Sequence, residues 1–95
     1  MKAKALDLEK KMATLARSFP CMAKAPGAKL WDSNAFDHWA YDAPISRCEL
    51  VTVRFLLAVW DRDFNWKCSR FDLMDAMSIW DEQHRAAFLA WARDP

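Results

Sequence analysis

The sequence predicts an all-α, single small domain of about five helices, built on a central apolar helix with a C-terminal helical hairpin. Three observations carry that expectation. Apolar residues recur at helical spacing through most of the chain. Ser or Asp stands immediately ahead of several of these stretches, where a helix needs an N-cap. Six Trp and six Phe in 95 residues supply the large side chains that so short a chain needs for a core.

Residues 2–19 read as an amphipathic helix, because Leu8, Met12, Leu15 and Phe19 form one stripe. Pro20 ends it, and Lys10 and Arg17 fall on the far, solvated side. The following stretch, Pro20-Cys21-Met22-Ala23-Lys24-Ala25-Pro26-Gly27, holds two of the four prolines and the single glycine. That composition reads as a linker over 20–31. The organisation expected is therefore a basic N-terminal helix at 1–19 that could serve as an arm, a linker at 20–31, and a helical core at 32–95.

Asp32 or Ser33 caps a short helix to about Tyr41, which turns Phe36, Trp39 and Ala40 inward before Pro44 stops it. Ser46 with Glu49 three residues later is a capping-box pattern ahead of the strongest apolar run in the chain. The helix expected over 47–60 is apolar nearly all round, apart from a stripe of Arg47, Arg54 and Asp61, so it is packed on most sides. Alternation of Val51, Val53 and Phe55 supports a competing strand reading of the same run. Residues 61–69 are aperiodic and form a connection, with Phe64 and Trp66 expected to fold back onto the body. Ser69 then leads into a helix over 70–80, and Asp81 caps a last helix over 82–93, where His84, Phe88 and Trp91 share one face.

Composition narrows the chemistry. The single glycine excludes a Gly-rich phosphate cradle. Cys21, Cys48 and Cys68 are odd in number and at least twenty residues apart, which argues against a disulfide framework and against clustered metal ligands. Asp81-x-x-His84 could set two ligands on one helical turn, but an N-cap followed by an amphipathic histidine accounts for it, so no metal and no cofactor is expected. Cys48 lies in the first turn of a helix, where the dipole lowers a thiol pKa, and is the best candidate nucleophile if a histidine folds near it. Without a local catalytic signature, the expectation is that this is not an enzyme.

Net charge is +1, yet residues 1–30 carry seven Lys/Arg against Asp7 and Glu9, and residues 31–95 carry seven against eleven Asp/Glu. The two segments are thus +5 and −4, an asymmetry suited to internal docking, self-association or steering of a charged partner. The longest apolar run, Leu56-Leu57-Ala58-Val59-Trp60, is far too short to span a membrane, and the chain reads as cytoplasmic.

The block Trp66-Lys67-Cys68-Ser69-Arg70-Phe71-Asp72, continuing through Ile79-Trp80-Asp81-Glu82-Gln83-His84-Arg85 to Pro95, resembles small uncharacterised bacterial open reading frames of plasmids and integrative elements. The resemblance covers about the last third of the chain and brings no activity with it. It implies bacterial accessory cargo, a class in which small proteins that bind and modulate a host protein are common.

Together these readings point to a non-enzymatic protein-binding or modulator protein, with a protein partner or self-association through an aromatic surface. Trp31, Trp66 and Trp91 lie in connections or near the chain end and are the tryptophans expected to be exposed, with His84 and Arg85 beside them. Trp39, Trp60 and Trp80 are expected in the core. The alternative is a nucleic-acid-associated accessory protein that uses Lys2, Lys4, Lys10, Lys11 and Arg17 of the basic first helix.

Overall fold

The computed structural model describes residues 2–95, with side chains described from Asp7 onward. Five α-helices follow one another: α1 (Lys2–Arg17), α2 (Ser33–Asp42), α3 (Arg47–Asp61), α4 (Leu73–Ile79) and α5 (Glu82–Arg93). A short 3-10 turn, Pro20–Met22, follows α1. Among the described residues there is no strand, so the run at 50–60 is helical despite its β-branched alternation. Burial on all sides decides it: Val51, Thr52, Val53, Phe55, Leu56 and Leu57 are all buried, and no strand partner exists to take their backbone groups.

Local capping sets most helix starts. The Asp32 side chain accepts from the Ala35 amide, and Asp81 does the same for His84. Ser46 and Glu49 form the full reciprocal capping box, at 3.1 and 2.8 Å. The start of α4 differs from the sequence expectation. Its N-cap is Asp72, which accepts from the Asp75 amide, and Ser69 instead adopts a left-handed φ of 76° that turns the chain before Phe71 enters the core. A left-handed residue ends a turn and cannot cap a helix three positions early.

α3 is the axis of the domain, packed by α1, α2, α4 and the 3-10 turn. α4 and α5 form the C-terminal helical pair, joined by Trp80 and Asp81 alone and clasped by the Arg85 guanidinium, which donates to the Met77 carbonyl. The centre is an aromatic cluster around Phe55, whose ring lies 5.0–5.6 Å from those of Phe19, Phe71, Phe88 and Trp91. Most of these pairs are tilted or edge-on, the geometry favoured by ring quadrupoles.

The first thirty residues belong to this core. Met12, Ala13, Ala16 and Phe19 are buried, and so are Met22, Ala25 and Ala28 of the stretch read as a linker. Arg17 fastens the two together by donating to the Ala28 and Lys29 carbonyls. Of the expected arm at 1–19 and linker at 20–31, Met12, Ala13, Ala16 and Phe19 and then Met22, Ala25 and Ala28 pack with the helices of 32–95. The Cα radius of gyration, 12.4 Å, is about that of a single compact unit of this length.

Gly27 makes the tight return possible. Its φ is +88°, and a Cβ there would stand 2.8 Å from the Asp32 carbonyl oxygen and 3.0 Å from the Phe36 ring. Gly27→Ala is expected to cost about 2 kcal/mol, from left-handed strain and displacement of Phe36. In a domain of this size the thermal midpoint would fall by roughly 10 °C. An unchanged melting curve would show that the 26–32 turn can relax freely.

Candidate functional site

A groove and a polar cluster stand out from the packing. The groove has a volume of about 1390 Å³. α1 forms one wall through Leu8, Met12 and Leu15, the C-terminal half of α3 forms the floor through Val59 and Trp60, and α5 forms the opposite wall. On α5 the lining alternates between the small Ala86, Ala87 and Ala90 and the large Phe88 and Trp91. Small residues on one wall admit close approach of a second backbone, and aromatic edges beside them offer contact area. Leu8 is half-exposed at the mouth, and Lys11, Asp61 and Arg62 supply the charges around it.

The tryptophans expected to be exposed are distributed otherwise. Trp31, Trp66 and Trp91 are all partly buried and packed against the core, as are Trp39 and Trp60, so only Trp80 is fully interior. Trp31 lies 5.4 Å from Trp60 and 5.2 Å from Phe36, with its indole N–H buried and unpartnered. Trp66 lies 4.4 Å from Phe64 and donates to the Asp61 carbonyl. It lines a separate depression of about 390 Å³ with Arg54, Arg62 and Arg70. Trp91 alone of the three reaches the groove. Side-chain size drives this outcome: an indole in a connection of a small domain still finds core to cover.

His84 and Arg85 are likewise not an exposed pair. His84 is 5 % exposed, against the Phe19 ring, and Arg85 is exposed but engaged with Met77. Of the residues named for nucleic acid, Lys10 and Lys11 are exposed, Arg17 is occupied by two carbonyls, and the side chains of Lys2 and Lys4 lie outside the described residues.

The polar cluster gathers Cys21 of the 3-10 turn, Cys48 of the first turn of α3 and His84 of the first turn of α5. Their Sγ and imidazole donor atoms all lie within 4.8 Å of one another. Asp81 orients the histidine: its Oδ1 accepts from the His84 backbone amide at 3.0 Å and faces Nδ1 at 2.7 Å. Those hydrogen bonds hold the Asp81 carboxyl below its usual value. Nδ1 therefore carries the proton, and Nε2 accepts from the Cys21 amide at 3.1 Å. Thr52 links the cluster to the core, donating to the Cys48 carbonyl at 2.7 Å and accepting from the Trp80 indole at 2.8 Å.

Helix-dipole activation of Cys48 does not prevail. Burial pushes its thiol pKa up, and that of Cys21 up to about 12, so neither is a ready thiolate on its own. Cys68 is also pushed up to about 12 by burial, and its amide is held by Asp37 of α2. Sequence reasoning missed this cluster: the spacing of the cysteines argues against clustered ligands, and the three members come from elements distant in sequence, so no spacing rule could have assembled it. The groove had a better signal: Leu8, Met12 and Leu15 on α1 and Phe88 and Trp91 on α5 are the very stripes that periodicity marks. In comparison with known proteins, the chain matches no protein-family model, no curated sequence and no solved structure.

Proposed function

We propose that this chain is a non-enzymatic binding or modulator protein that takes an acidic amphipathic helix of a partner protein into the groove between α1 and α5. The observation that carries the reading is the groove itself: two amphipathic walls on the apolar floor of α3, with alanines where a third helix would approach. Charge selects the partner's sign. The α1 wall belongs to the +5 segment 1–30, and Lys11 and Arg62 outnumber Asp61 among the charged lining residues. The resemblance of the last third to reading frames of mobile elements supports bacterial accessory cargo acting on a host protein. Three unpaired cysteines support a reducing, cytoplasmic setting, and among the described residues no helix is long and apolar enough to cross a membrane.

The test is a titration with helical peptides whose leucine stripe is flanked by glutamate, glutamine or lysine. Glutamate-flanked peptide is expected to bind tightest, and Ala90→Glu inside the groove to weaken it at least about tenfold, or ~1.4 kcal/mol. Leu89→Glu, on the exposed face outside the groove, is expected to change little. Equal binding by the Ala90 variant would refute the site. A dimer that dissociates on Ala90→Glu would place a second copy in the groove and overturn the heterotypic reading.

A further inference from the structure

The cluster at the junction of the 3-10 turn, α3 and α5 has a geometry that the groove does not require. We propose that Cys21 Sγ, Cys48 Sγ and His84 Nε2 form a three-coordinate protein site for a single zinc ion, with the fourth position open to water beside the two partly buried cysteines. This inference is independent of partner binding.

Donor geometry supports it. Tetrahedral zinc with Zn–S of about 2.3 Å and Zn–N of about 2.0 Å sets its donors roughly 3.5–3.8 Å apart. The three donor atoms lie within 4.8 Å of one another, so side-chain rotation of about 1 Å closes the set around an ion. Two thiolates and a neutral imidazole are a donor set that zinc favours over harder cations.

The surroundings supply what a metal-bound histidine needs. Asp81 accepts the Nδ1 proton at 2.7 Å, which fixes the ring and leaves the Nε2 lone pair directed at the cysteines, the carboxylate–histidine arrangement typical of zinc ligands. That lone pair accepts from the Cys21 amide at 3.1 Å, so the ion displaces this one hydrogen bond. Charge points the same way. Two thiolates with one divalent cation form a neutral group, which suits a site that is largely out of water. On binding, each thiol releases its proton to buffer as its sulfur bonds the metal, with no redox change.

Cobalt(II) substitution tests this on the full chain kept reduced. The expected result is saturation at one equivalent, with the intense visible bands of tetrahedral cobalt and a thiolate-to-metal charge-transfer band, both bleached by added zinc. Cys48→Ser, at a partly buried position, is expected to keep the fold by circular dichroism and to lose the charge-transfer intensity of one thiolate. Asp81→Asn retains a capping oxygen and weakens cobalt about 10–100-fold, because it orients the ligand rather than bonding the ion. A pale octahedral spectrum without charge transfer, or a band unchanged in both Cys48→Ser and Cys21→Ser, would overturn the site. The wild-type spectrum decides the matter even if a variant fails to fold.

Discussion

Replacing Trp80 with alanine is expected to cost about 3–5 kcal/mol, the range for removing a large aromatic from a packed core. Trp80 is 2 % exposed and links four elements of the packing. Its ring lies 5.5–6.0 Å from those of Phe19, Phe55, Phe71 and Phe88, and its indole N–H donates to Thr52 at 2.8 Å. Deletion leaves a cavity that rings held by α3, α5 and two separate connections cannot all collapse into. Against a total stability of roughly 5–14 kcal/mol for a domain of this length, the variant stands near its unfolding threshold. Trp80→Phe separates the two contributions: it keeps most of the volume, loses the bond to Thr52, and should cost only about 1–2 kcal/mol. Urea denaturation of the three proteins checks the order. A loss below ~1 kcal/mol for the alanine variant would mean that the aromatic cluster is loosely packed.

Asp37→Ala is expected to cost about 2–4 kcal/mol, although it introduces the best helix former into α2. The carboxylate is 7 % exposed and accepts from two amides of the 61–72 connection, Lys67 N at 3.1 Å and Cys68 N at 2.9 Å. Without it those amides have no partner, at roughly 1–3 kcal/mol each when buried. Because both lie in one loop, the effect has a local signature. Amide hydrogen exchange at Lys67 and Cys68 should accelerate far more than at Val53 or Leu56 in the centre of α3. Asp37→Asn can satisfy one amide but sets its own N–H₂ against the other, and should recover no more than about half of the loss. Uniform acceleration across the chain would show that Asp37 supports the whole domain rather than this connection.

These two residues also mark how much of the protein is legible in its sequence. Caps at Asp32, Ser46 and Asp81 were readable because their hydrogen bonds close within three residues. The central helix was readable because six of its residues are buried by a run that is apolar nearly all round. Asp37 was not: in sequence it resembles a solvated charge on an amphipathic helix, and its partners are thirty residues away. Segment 20–31 has linker composition, but Met22, Ala25 and Ala28 are buried, which composition does not reveal. The tryptophans fail the same way. Trp31 and Trp66 sit in connections, yet folded against the body they cover core much as Trp39 and Trp60 do, and among the described residues the exposed large apolar ones are instead Leu8, Leu30, Tyr41, Phe64, Leu73, Met74 and Leu89. The candidate site was half legible: both groove walls follow from helical periodicity, while the gap between them and the meeting of Cys21, Cys48 and His84 depend on tertiary packing.

Partner contact in the α1–α3–α5 groove is read directly by the six indole N–H signals in a proton–nitrogen NMR spectrum. During titration with a glutamate-flanked amphipathic peptide, the Trp60 and Trp91 signals are expected to move together and saturate, because both line the groove. Trp39 and the interior Trp80 should stay in place. Saturable movement confined to Trp39 or Trp66, or no movement of Trp60 and Trp91 at saturating peptide, would rule out contact in the groove.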